Sequence, residues 1–211
     1  MKLSSEAFEN DGLLPPAYAF GKIDPQQHVA WSSNRNPPLA WSDVPPGTRS
    51  FVLLCHDPDV PSRGDDVNRA DRQVPADLAR VDFFHWTLID LPATLRHIAA
   101  GAYSDGVTPR GKPGPELADS SARQGLNDYT GWFAGDADMA GEYFGYDGPC
   151  PPWNDSIEHH YIFTLYALDI AQLPLSDRID GATVRAALAP HILAQAQVCG
   201  RYSLNPALSA A

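Results

Sequence analysis

The chain is expected to fold mainly as β structure, a β-sandwich with a few peripheral helices. Twenty prolines in 211 residues are too many for a helical bundle, because each fixes φ and removes a backbone donor. Apolar and aromatic runs of strand length recur between Pro and Gly punctuation, the pattern of short strands joined by turns. Only one late segment carries persuasive helical spacing.

Taken in order, Lys2 to Phe8 and Ala40 to Trp41 are plausible short strands. Phe51-Val52-Leu53-Leu54-Cys55 reads as a buried strand, followed by Asp57-Pro58-Asp59-Val60-Pro61, where the two prolines predict that the chain leaves the sheet. Asp77 to Arg80 is expected to make a brief helical turn. Phe83 to Leu91 is rich in aromatic and β-branched residues, which favour a strand, and Pro92 ends it. His85 is a titratable residue inside that strand. Gly148-Pro149-Cys150-Pro151-Pro152-Trp153-Asn154-Asp155 is a rigid loop that feeds a last aromatic strand, His159 to Asp169. The two-residue period puts His159 and Tyr161 on one face of it.

Thr183 is expected to cap a helix in which Val184, Ala187, Leu188, Ile192 and Leu193 approximate helical spacing, with Pro190 bending or interrupting it. A strand over Ala196 to Tyr202 closes the chain. Two long polar stretches remain, Arg63 to Asp82 and Gly111 to Gly145. The first carries charges of both signs and reads as a solvated loop. The second holds Tyr129, Trp132, Phe133, Tyr143 and Phe144, rings that either pack the loop onto the body or wall a pocket.

Length and composition fit one domain spanning 1–211, long enough to bury its own core. Hydrophobic residues make up 44% and charged residues 19%, and no apolar run approaches the roughly 20 residues of a membrane helix. Integral membrane association is therefore not expected. The start, Met1-Lys2-Leu3-Ser4-Ser5-Glu6, lacks the apolar stretch of a secretory signal, and a cytoplasmic location is expected. Cys55, Cys150 and Cys199 have no paired spacing, so reduced thiols are expected; Cys150, between prolines, is the one to test for reactivity. A net charge of −11 argues against nucleic acid as a principal partner, because duplex affinity rests on Lys and Arg. It also disfavours adsorption to anionic membranes, while leaving room for one anionic group held by local donors.

Three segments together resemble the phosphatidylethanolamine-binding protein family, in particular its bacterial branch described as Raf-kinase-inhibitor-like. Asp57-Pro58-Asp59-Val60-Pro61-Ser62 is similar to that family's Asp-Pro-Asp-Ala-Pro-Ser signature. Phe84-His85-Trp86 sits where the family has a histidine-bearing strand, and His159-His160-Tyr161 resembles its His-Arg-Tyr motif. Asn36-Pro37-Pro38-Leu39-Ala40-Trp41, Val44-Pro45, Thr48-Arg49-Ser50-Phe51 and Gly200-Arg201-Tyr202 extend the likeness over nearly the whole chain. There are departures: His160 stands for an arginine, Val60 for an alanine, and the two polar stretches are longer than in compact members.

The resemblance implies an antiparallel β-sandwich with Asp57, Asp59, His85, His159 and Tyr161 around one opening and Pro61, Pro149, Pro151 and Pro152 shaping its rim. A histidine with one nitrogen bound to a carboxylate is fixed in tautomer and leaves its other N–H for an anion; Asp57 is the candidate orienter. Two such histidines and the Tyr161 hydroxyl are expected to hold a small anionic or phosphoryl-bearing ligand. The alternative use of the same residues is a metal-dependent hydrolase. No Gly-x-Ser-x-Gly elbow, phosphate-binding glycine loop or dinucleotide fingerprint is present, so no cofactor is expected and a non-enzymatic binding role is favoured. The family also suggests a kinase or protease as a protein partner, and homodimers.

Overall fold

Ser50 to Pro61 and Arg80 to Pro92 form the two longest strands of the computed structural model, which describes residues 1–118, 120–175 and 178–209. In chain order the strands are β1 (Lys2–Ser4), β2 (Gly12–Leu13), β3 (Gly21–Asp24), β4 (His28–Trp31), β5 (Leu39–Ser42), β6 (Ser50–Pro61), β7 (Arg80–Pro92), β8 (His97–Ile98), β9 (Arg123–Gln124), β10 (His159–Leu168) and β11 (Ile192–Tyr202). Among the described residues three short α-helices accompany them: α1 (Tyr129–Trp132), α2 (Gly181–Leu188) and α3 (Pro206–Ser209). No helix among the described residues is long and apolar enough to cross a membrane.

The strands make a six-stranded sheet ordered β2-β11-β10-β6-β7-β9, a three-stranded sheet β1-β5-β8 and the hairpin β3-β4. Among the described residues, the pairings between these strands are antiparallel except β2 with β11, which is parallel. β6 shows how sequence makes a central strand. Phe51, Leu53 and Cys55 face one core together with Leu3, Leu39 and Trp41 of the small sheet. Val52 and Leu54 face the opposite side, where Val184 and Leu188 of α2 cover them. A strand buried on both faces reads as a continuous apolar run, as this one does.

Several expected boundaries shift. α2 is capped not by Thr183 but by Asp180, whose carboxylate accepts the Thr183 N–H, the ordinary geometry of an acidic cap and its third helical residue. Pro190 ends the helix rather than bending it: Ala189–His191 is a 3₁₀ turn, and Ile192 and Leu193 already belong to β11. Asp77 is in a turn closed by Leu78 N–H to Pro75 O, and Arg80 starts β7, so no helix forms there. The early strand stops at Ser4.

Candidate functional site

β6, β7 and β10 run side by side, and near one end their ladder is broken twice. Cys55 pairs with Trp86, yet His56 pairs with Phe84, so His85 is an extra residue on β7. A bulge re-aims the side chain it carries, and here His85 joins Asp57 and Tyr161 around one cavity of about 410 Å³. The second break lies between Asp57 and Val60, and pairing of β6 with β10 ends at His56–Ile162. Pro58 thus falls where neither neighbouring ladder uses its missing N–H. The chain does not leave the sheet at Asp57, as the prolines suggested; β6 continues to Pro61.

Asp57, Pro61, His85, Pro151, Pro152, His159 and Tyr161 line the cavity; Asp59 and Pro149 do not. Asp59 instead accepts the backbone N–H of His160 at 2.9 Å and its Nδ1 at 2.8 Å. The Pro149 carbonyl accepts from the N–H groups of Phe20 and Gly21, tying the proline loop to β3.

His159 is fully buried and both of its ring nitrogens are taken. Nδ1 donates to Asp57 Oδ2 at 2.7 Å and Nε2 to Asp155 Oδ2 at 3.1 Å. Ionised carboxylates only accept, so both nitrogens carry protons and the ring is an imidazolium. Burial alone would depress its pKa, but the hydrogen bonds it donates to Asp155 and Asp57 outweigh burial and raise it from 6.5 to about 9. Arg80 then grips Asp155 with both terminal nitrogens, at 2.6 and 3.0 Å. The result is a chain Asp57–His159–Asp155–Arg80 of two anions and two cations. His159 consequently has no N–H left for a ligand, contrary to the expectation that Asp57 would orient it for one.

His85 does have a free nitrogen. Its Nδ1–H donates to the backbone carbonyl of Asp147 at 2.7 Å, which leaves Nε2 without a partner among the described residues, on a ring that lines the cavity. Burial lowers its pKa, opposed by Asp57 and Asp147, so the neutral ring offers Nε2 as an acceptor. Asp147 is itself fully buried and held by Asn34 Nδ2 and Asn127 Nδ2, each at 2.7 Å, and by Lys112 Nζ at 2.9 Å. Lys112 also donates to the Tyr146 carbonyl. Tyr161 packs edge-on to His85 with ring centroids 5.1 Å apart. Its buried hydroxyl meets no hydrogen-bond geometry, yet burial first and then the adjacent Asp57 carboxylate raise its pKa well above 10.

The walls are aromatic. Phe83 packs edge-on to Tyr129, which stacks with Phe133 at 5.4 Å, while Trp31 and Trp132 line the cavity at 57% and 56% exposure. Of the rings on the 111–145 stretch, Tyr129, Trp132 and Phe133 therefore wall the cavity, whereas Tyr143 is buried among Phe20, Tyr129 and Phe133. Nor is the Arg63 to Asp82 stretch a plain solvated loop. Asn154 Nδ2 donates to the carbonyls of Asp66, Arg69 and Arg72, and Arg63, Val67 and Asn68 join the lining. Asp155, Arg80, Asp147 and Lys112 were missed from sequence. Asp155 had one signal, its place four residues before His159 at the end of the proline loop.

Fold and site define a β-sandwich protein with a small aromatic-walled cavity at the end of its large sheet. The chain belongs to the phosphatidylethanolamine-binding protein family, whose family model matches residues 4–203. It is 30% identical to YbhB of Escherichia coli over 209 residues, 96% of this chain and 100% of that protein. It is also 29% identical to YbcL of Escherichia coli, across 82% of this chain and 73% of YbcL. The crystal structure of YbcL, described as a new member of the mammalian family, superposes with a TM-score of 0.67 at 25% identity, covering 96% of this chain and 97% of that one. A Chlamydia trachomatis homolog, CT736, gives a TM-score of 0.63 at 27% identity, with 96% of each chain covered.

Proposed function

We propose that this protein is a binding module that holds the polar head of a small anionic or phosphoryl-bearing ligand against His85. The observation that carries this reading is the Nε2 of His85, unpartnered among the described residues, on a cavity whose lining includes Phe83, Tyr129, Phe133, Pro61, Pro151 and Pro152. The Asp147 carbonyl holds the other ring nitrogen, which fixes the ring, and the buried Tyr161 hydroxyl beside it has no hydrogen-bond partner among the described residues. Asp57 and Tyr161 stand beside that ring, and the prolines keep the opening shaped when empty. Cys150, the one thiol on the cavity among the described residues, is not an activated nucleophile: burial raises its pKa to about 12. Its sulfur packs against Gly21, where a Cβ would stand 2.6 Å away.

Isothermal titration of inorganic phosphate into the protein and into His85→Ala tests the reading. Saturable 1:1 binding that the substitution removes supports it. Equal binding by both proteins would overturn it.

A further inference from the structure

The hairpin of β3 and β4 is a two-stranded sheet of its own, and through Val29 and Trp31 it contributes to the wall of the cavity. Its base is fastened. The Gly21 N–H donates to the Pro149 carbonyl at 3.1 Å, the Gly21 carbonyl accepts the Tyr202 hydroxyl at 2.9 Å, and the Ser32 N–H donates to the Phe20 carbonyl at 2.8 Å. Trp31 also meets Phe20 edge-on, close to that base. Beyond it the hold is slight. None of residues 22–31 is buried, and among the described residues no hydrogen bond or ion pair joins them to the rest of the chain; the side-chain hydrogen bonds they make stay within the hairpin. Segments with little burial and few hydrogen bonds to the body are the first to open locally.

At the tip, His28 stacks on Trp153 with centroids 3.8 Å apart and planes 7° from parallel. The residue type is unusual for its place. His28 follows the turn Pro25-Gln26-Gln27, in which Asp24 accepts the N–H groups of Gln26 and Gln27, and it pairs with Asp24 at φ +66°. Three-residue hairpin loops end on such a left-handed residue, where glycine is favoured because a Cβ is strained. An imidazole therefore costs conformational free energy there, and what it adds is the stack. Trp153 follows Pro151 and Pro152 of the cavity lining, so the stack ties the free end of the hairpin to the proline loop.

Cys150 lies under this hairpin. A Cβ on Gly21 would stand 2.6 Å from Cys150 Sγ and 3.0 Å from Val29 Cγ1, so the thiol and Val29 are neighbours. Lifting residues 22–31 about Gly21 and Ser32 takes Val29 off the thiol and Trp31 out of the wall together.

We propose that the β3–β4 hairpin is a flap, hinged at Gly21 and Ser32 and latched by the His28–Trp153 stack, whose opening admits ligand to the cavity. As a control on entry it rests on the reading of the cavity as a binding site, whereas the flap itself is tested without a ligand. The stack sets how often the cavity opens and leaves the groups around His85 as they are.

Labelling of the folded protein with a bulky maleimide, read thiol by thiol by peptide mass spectrometry, measures the opening. Cys150 reports the flap, the partly exposed Cys199 is the reference for the reagent, and Cys55, buried in β6, reports global unfolding. His28→Gly removes the ring and suits the turn. From the usual strength of a ring pair, it should raise Cys150 labelling relative to Cys199 roughly three- to tenfold, with Cys55 unlabelled and the melting temperature not lowered. His28→Phe keeps a ring over Trp153 and should label as the unsubstituted protein does. An unchanged ratio in His28→Gly, His28→Phe labelling as fast as His28→Gly, or a rise in Cys150 labelling only in step with Cys55 would each overturn the latch. Phosphate takes no part in this measurement, so the flap and the oxyanion site stand or fall separately.

Discussion

His85 donates its Nδ1–H to the backbone carbonyl of Asp147 at 2.7 Å, and that single bond decides what the cavity can offer a ligand. A carbonyl only accepts, so the proton sits on Nδ1 and the nitrogen facing the cavity is a lone pair. His159, the more conspicuous histidine in sequence, is locked between two carboxylates and serves the scaffold.

Stability should therefore follow the His159 chain. A histidine ordinarily titrating at 6.5 sits here at about 9, so its contribution is complete below 6.5 and is lost as pH rises through about 9. Asp155 moves the other way: burial would raise it, but His159 and Arg80 hold it below its ordinary 3.8, so its contribution is present above 3.8 and lost as pH falls. The shift of His159 corresponds to on the order of 3 kcal/mol, and the same pair seen from Asp155 is not added to it. Urea melts at pH 6 and at about pH 9.5 should differ by most of that amount, and in His159→Gln the difference should vanish. An undiminished difference in the variant would show that another group carries it.

Asp155→Asn should cost about 3–5 kcal/mol, because it removes the carboxylate shared by two cations, leaving Arg80 with only the carbonyls of Asp59 and Pro75 and His159 with Asp57. Thermal melts at about pH 7 read this directly. A loss under about 1 kcal/mol would mean the chain is no more than a surface ion pair in its worth.

Lys112→Met should act on the site at a distance. Lys112 belongs to the long 111–145 stretch and pairs with Asp147 in the buried network that aims the carbonyl at His85. Removing it leaves a buried carboxylate held by two amides alone, with an expected destabilisation of about 3 kcal/mol and a displaced His85 imidazole resonance. A destabilised protein with that resonance unmoved would separate the network from the site.

Gly148→Ala should disturb the same place by sterics. A Cβ there would stand 2.2 Å from the Tyr18 carbonyl oxygen, a backbone atom that cannot swing aside, and Gly148 adjoins Asp147. A loss of about 1–3 kcal/mol is expected from such overpacking, together with weakened phosphate binding in titration. Unchanged melting would mean the β3 side of the loop yields.

The large sheet was legible because β6, β7 and β10 announce themselves by composition: Phe51 to Cys55, Phe83 to Leu91 and Tyr161 to Leu168 are each apolar or aromatic at strand length. The clustering of Asp57, His85, His159 and Tyr161 came from motif likeness. What remained hidden is what no one-dimensional period can show. The bulge that re-aims His85 exists only in the pairing of Cys55–Trp86 with His56–Phe84. The roles of Asp155 and Asp147 depend on partners 75 residues away at Arg80 and 113 residues away at Asn34. Ile192 and Leu193 misled because apolar residues just beyond a helix fit its spacing, while Pro190 had already ended it. His159→Ala should not spare the fold, since that ring is part of a buried charge chain.

Imidazole ¹⁵N–¹H correlation spectra of the protein, recorded with and without inorganic phosphate, bear most directly on the central claim. The account predicts that His85 shows a protonated Nδ1 and a bare Nε2 whose resonance shifts on adding phosphate, while His159 stays doubly protonated and unmoved. A bare Nδ1 on His85, or a phosphate response confined to His159, would contradict it.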